Sequence, residues 1–173
     1  MTVSEYDWLI VLAVTVFLVG SVTWVMPTRH QRQQTRLRQQ AMTMGMQVRI
    51  SRLQWPRENG KIAPSSMLAT GYCLPRHPIS KHSKSGCLAN HNWEVFRAQG
   101  QHRNGLPVGW FWNRGEGELT AEQLDRLITI LSQLPDDVYA VSVNPLAAIV
   151  YWHETGDQQC LDDIYFGLQQ LLQ

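Results

Sequence analysis

The hydrophobic pattern changes character along the chain. Trp8 to Met26 (WLIVLAVTVFLVGSVTWVM) is apolar on every side and carries no charge. At ~1.5 Å rise per residue such a helix would come close to the ~30 Å hydrocarbon layer of a bilayer. Trp8 and Trp24 stand near its two ends, where indole rings favour headgroup level. The expectation is a transmembrane helix over 8–26, preceded by a short tail, 1–7. That tail is acidic (Glu5, Asp7) and has no basic residue, so it does not resemble the start of a cleaved signal peptide.

Beyond Met26 the pattern becomes that of a folded domain. Thr28 to Met44 is rich in Gln and Arg and reads as a second helix, with Gly45 as its stop. Met46 to Arg52 alternates apolar and polar, the mark of a half-buried strand. Met67–Leu74, Asn92–Ala98 and Val108–Asn113 are further strand candidates. They are separated by polar, Pro- and Gly-containing stretches at 55–66, 75–90 and 99–107. Thr120 followed by Gln123 forms a capping box, and Leu124, Leu127, Ile128, Leu131 and Leu134 recur at helical spacing until Pro135. Val138–Val143 and Ala147–Trp152 flank the turn Asn144-Pro145 and predict a hairpin. Asp157 caps a last helix with the stripe Leu161, Ile164, Tyr165, Leu168, Leu171 and Leu172. The whole predicts a single N-terminal transmembrane helix (8–26), a basic juxtamembrane helix (27–45) and an α+β domain (46–173). That domain is expected to be an antiparallel sheet with two helices on one face.

Charge adds direction to this picture. The net charge is only +1, but residues 27–62 hold eight Lys/Arg and one acid, while residues 104–173 hold two Lys/Arg and ten acids. Arg29, Arg32, Arg36 and Arg38 follow the apolar run at once. Basic loops stay on the cytoplasmic side, so the expected topology puts the N-terminus outside and the domain in the cytoplasm of a bacterial inner membrane. The same four arginines are expected to contact anionic lipid headgroups. Nucleic acid is not expected as a partner.

Two groups of residues offer chemistry. Cys73, His77, His82, Cys87 and His91 fall within one basic loop region, and thiolate and imidazole are ligand types suited to zinc. Their spacing matches no paired-ligand zinc pattern such as C-x2-C, so the expected cofactor is none, with zinc as the alternative. Cys160 lies at the start of the last helix, where a helix N-terminus can lower a thiol pKa, and His153-Glu154 precedes it. No phosphate-binding glycine loop is present: Gly115-Glu116-Gly117 is acidic. Trp110, Phe111 and Trp112 are consecutive, so a strand would send them to opposite faces and leave an aromatic partner surface if helices cover only one face.

The acidic lead, the apolar run and then Pro27-Thr28-Arg29-His30-Gln31-Arg32-Gln33-Gln34 resemble the YajC accessory subunit of the bacterial preprotein translocase. The resemblance covers about residues 5–50 and implies one span, a basic helix and a small strand-rich cytoplasmic piece. The family's Gly-Asp-x-Val stretch stands here as Gly45-Met46-Gln47-Val48, without the Asp. No functional residue is carried over. The expected function is a non-enzymatic accessory or adaptor protein docking on a membrane complex, with a zinc-binding domain as the alternative.

Overall fold

The structure is a computed structural model that describes residues 7–25, 28–54, 66–76, 87–97 and 105–173, with the backbone alone at 22–25. Its elements are α1 (Asp7–Val25), α2 (Arg29–Thr43), β1 (Gln47–Gln54), β2 (Ser66–Pro75), β3 (Trp93–Arg97), β4 (Trp110–Arg114), α3 (Ala121–Gln133), β5 (Val138–Asn144), β6 (Ala147–Trp152) and α4 (Gln158–Leu172). A single 3-10 turn, Leu88–Asn90, precedes β3. The chain divides into two units, Met1–Thr35 and Arg36–Gln173.

In the first unit the apolar side chains of α1 are exposed, Phe17 at 76% and Val11 at 64%. The sequence expectation of a membrane span is corrected here. Among the described residues no helix is long and apolar enough to cross a membrane. Asp7 places a carboxylate in the first turn of α1. The single-pass, inner-membrane topology drawn from the span falls with it, as does the use of Arg29, Arg32, Arg36 and Arg38 as an orientation signal.

The second unit is an α+β domain. Six antiparallel strands lie in the order β1-β2-β6-β5-β3-β4. Three hairpins, β1–β2, β3–β4 and β5–β6, make up the sheet. The first and last of them join through β2 and β6, and β3 pairs with β5. One face carries the main core: Tyr72, Trp93, Val95, Trp110, Trp112, Val141, Val143, Val150 and Trp152 pack with α3, α4 and the C-terminal half of α2, which contributes Leu37 and Ala41. The opposite face forms a smaller cluster of Leu53, Ala69, Phe96, Phe111, Tyr139, Ala140 and Tyr151.

Local chemistry explains the boundaries. Thr120 Oγ1 accepts from the Gln123 amide at 3.3 Å and the Gln123 side chain accepts from the Thr120 amide at 2.9 Å, so both orphan donors at the start of α3 are used. Asp157 accepts from the Cys160 amide at the start of α4. Asn144 Oδ1 accepts from the amides of Leu146 and Ala147 and closes the β5–β6 turn. The expected two helices on one face are corrected to three: α2 packs there beside α3 and α4.

Candidate docking surface

The β1–β2 hairpin outgrows the sheet that supports it. β1 and β2 pair from Gln47↔Cys73 to Gln54↔Ser66, but β2 pairs with β6 only over Gly71–Pro75. Residues 66–70 and their partners on β1 therefore extend as a two-stranded arm. Even-numbered positions of both strands share the face of Val48 and Tyr72, which pack on the helix-side core. Past those residues the helices no longer cover the sheet, and Ile50 (71%) and Leu68 (70%) are exposed. They are diagonal neighbours, since Ile50 opposes Thr70 and Arg52 opposes Leu68. On the opposite face Leu53 and Ala69 are buried.

The root of the arm is fixed by a glycine. The Tyr151 side chain lies over Gly71, where an added Cβ would come within 2.8 Å of Tyr151 Cε1 and 2.9 Å of Ile149 Cγ2. The space lets the Tyr151 hydroxyl reach across β2 to Ser51 Oγ, which donates to it at 3.2 Å. Burial pushes the Tyr151 phenol above its ordinary pKa, so it stays a neutral hydroxyl. Among the described residues nothing pairs with the outer edge of β1, and its exposed arginines, Arg49 and Arg52, are of the kind that mark edge strands.

A buried ionic cluster anchors α2 beside the same hairpin. Glu154 is 3% exposed and accepts from Arg38 Nε at 2.8 Å, from Arg38 Nη2 at 2.6 Å and from the Tyr72 hydroxyl at 2.9 Å. Its backbone is left-handed, φ 57°, an uncommon conformation for a residue with a Cβ. Burial, then the Glu154 carboxylate, raises the Tyr72 phenol well above its usual range. The hydrogen bond to Glu154 holds the Arg38 guanidinium firmly charged. Three donors from two elements converge on this carboxylate, which makes it a structural clamp. Arg38 is thus committed to Glu154 and is not available for lipid headgroups, whereas Arg29, Arg32 and Arg36 are exposed.

The other expected site residues are placed as follows. Trp110, Phe111 and Trp112 are 1%, 3% and 8% exposed, so none of them offers a partner surface. The alternation of β4 was correctly expected to send them to opposite faces, but both faces of this part of the sheet are buried. Trp110 and Trp112 lie in the helix-side core and Phe111 stacks on Phe96 with centroids 5.9 Å apart. Of the five metal candidates, His77 and His82 lie outside the described residues. Cys87 belongs to the helix-side core and donates to the Leu172 carbonyl at 3.4 Å. Cys73 follows Tyr72 on β2 and so points to the other face of the sheet, and the structure does not bring these two thiols together. His91 follows the 3-10 turn. Among the described residues no group of three or more His, Cys, Asp or Glu side chains is arranged to hold a metal ion.

Cys160 and His153 are also apart. His153 packs on Tyr139 with ring centroids 4.6 Å apart and planes tilted by 35°, on the face away from the helices, while Cys160 packs against the helix-side core. Burial raises the Cys160 thiol pKa, the opposite of an activated thiolate.

The arm was legible in part. Strand β1 was expected over Met46–Arg52, and two arginines inside a strand are an edge signal that the sequence carried. The Arg38–Glu154 clamp had no sequence signal, because its partners are far apart in the chain. In comparisons with family models, curated proteins and solved structures, no match to this chain was found.

Proposed function

We propose that the domain is a non-enzymatic docking module and that it engages another protein through the β1–β2 arm. The observation that carries this reading is the pair Ile50 and Leu68, diagonal neighbours exposed at 71% and 70% on the β1–β2 arm, where Met67 on the other face is exposed as well, whereas the large apolar side chains of β3 to β6 are buried or partly buried. A neighbouring apolar pair on a projecting, one-sided hairpin is a costly feature for a surface with no partner, and such patches are typical of interaction sites. The arm is also firmly footed, through Tyr151, Ser51 and the Glu154 clamp, so it presents a fixed shape. No catalytic constellation competes with this reading among the described residues.

The test is site-specific photo-crosslinking in the cells that make the protein. A photoreactive residue at position 50 or 68 of the full chain should give one discrete adduct. Positions 108 and 146, exposed apolar residues in turns, should not give it. Adding Leu68→Asp to the position-50 reporter should abolish the adduct without lowering the melting temperature. Adducts of equal yield and pattern at all four positions, or none at 50 and 68, would remove the arm as the docking surface.

A further inference from the structure

The docking reading above leaves the partner's chemistry open, and the edge of β1 narrows it. We propose that β1 receives an extended acidic segment of the partner as an additional strand of the sheet. The inference rests on the docking reading and adds three observations to it. First, β1 is the terminal strand of the sheet, and among the described residues its outer backbone groups have no strand partner. Main-chain pairing at such an edge supplies affinity, and alternate side chains supply selectivity. Second, the strand presents Arg49, Ile50 and Arg52 to solvent. Arg49 points to one face while Ile50 and Arg52 point to the other. Third, among the described residues neither arginine has an acid partner: the ion pairs there join Arg38 with Glu154 and Arg97 with Asp136, and Arg49 donates to the side-chain oxygen of Gln47.

These positions define a pattern. An antiparallel strand added to β1 would set an acid opposite Arg52, an apolar residue opposite Ile50 and an acid opposite Arg49. Read in its own direction, that partner strand has the order acid, any residue, apolar, acid. Opposite charges facing each other across strands are favourable and like charges are not, so the same edge rejects basic segments. A second copy of this chain is a poor source of the segment. The order occurs once in the sequence, as Glu122-Gln123-Leu124-Asp125, and that run forms the start of α3, with Leu124 packed against the core.

The experiment uses the full chain and two labelled nine-residue peptides. Both are Thr/Val-rich strands, one centred on Asp-Thr-Val-Glu and the other on Lys-Thr-Val-Lys. Fluorescence anisotropy should show the acidic peptide binding at least tenfold more tightly than the basic one. R49E/R52E should reverse that preference, and amide exchange in β1 should slow when the acidic peptide is bound. If the double variant fails to fold, the two peptides on the unchanged chain still decide the matter. Equal binding of both peptides, no binding of either, or sedimentation showing a dimer that forms through β1 would each overturn the proposal. In those cases a position-50 crosslink that survives would show that docking itself stands and that only the acidic strand is wrong.

Discussion

Arg38 and Glu154 lie 116 positions apart in the chain and meet as a two-pronged ion pair, with Nε and Nη2 of the guanidinium at 2.8 and 2.6 Å from the two carboxylate oxygens. The carboxylate side chain is 4% exposed and the guanidinium side chain 37%. The pair ties α2 to the loop between β6 and α4, and Tyr72 of β2 adds a third donor. A single buried acid thus holds three parts of the domain.

Arg38→Ala leaves that carboxylate buried with Tyr72 alone. Breaking a buried pair from one side costs ~3–5 kcal/mol, and the partly exposed guanidinium brings the expectation down to about 2–3 kcal/mol. Arg38→Lys keeps the charge but not the fork, so its loss should be smaller. Urea unfolding of the two variants checks the order. Equal losses would mean that the fork geometry contributes nothing.

The two amphipathic helices should respond in proportion to burial. Leu127 and Leu168 are fully buried, so either Leu→Ala change should cost about 2–5 kcal/mol. Thr120→Ala removes a cap that uses both reciprocal hydrogen bonds and should cost about 1 kcal/mol. Thermal melts of the three variants would show whether the cap is worth less than a core leucine.

Local signals explain which parts of this fold were legible. The capping box at Thr120, the helical stripes of α3 and α4, and the Asn144-Pro145 turn all act within a few residues of one another, and each element stands where its pattern placed it. The strand order and the role of α2 depend on contacts between distant positions. Nothing near Arg38 announces Glu154. The aromatic strand misled for a related reason: alternation states that Phe111 and the tryptophans face opposite ways, but not that both faces are covered. The long apolar run of α1 suggested a span, which the described residues do not support.

The burial of β4 has a measurable consequence. Trp110→Ala, Phe111→Ala and Trp112→Ala should each cost about 3–5 kcal/mol, because each removes a large side chain from a closed core. Ile50→Ala should change stability by no more than about 0.5 kcal/mol, since its side chain faces solvent. Chemical denaturation of the four variants separates core from surface. A stable Trp112→Ala protein would return the strand to consideration as a partner surface.

Cys160 should behave as an unreactive thiol. Burial raises its pKa, and it sits so close to Gly156 that an added Cβ there would lie 2.8 Å from Sγ. At neutral pH its alkylation by iodoacetamide should be slower than that of free cysteine, because the thiolate is the reacting species. Mass spectrometry of timed, quenched samples would follow it. Faster labelling than the free amino acid would reopen a thiol chemistry at this helix start.

The alkaline limb of stability offers a final test, because several phenols are held neutral by the fold. Tyr139 is the clearest: burial, and then its neighbours Tyr151 and Glu154, push it from 10.0 up to about 12. Burial raises Tyr72 and Tyr151 as well. A proton bound more tightly in the folded state stabilises that state where both states hold it, and the gain is lost once rising pH strips it from the unfolded chain first. The contribution is therefore intact below the ordinary phenol pKa of 10.0 and is lost as pH rises toward about 12. In that window each such tyrosine can steepen the fall in stability by up to about 1.4 kcal/mol per pH unit. Tyr139→Phe should flatten this fall, and because the hydrogen bonds to the Glu154 carboxylate come from Arg38 and Tyr72, it should leave the Arg38 clamp intact. Urea midpoints at several pH values from neutrality to strong base, at constant ionic strength, would give the slope for both proteins. The same alkaline slope in the parent and in Tyr139→Phe would mean that this phenol titrates alike in the folded and unfolded chains.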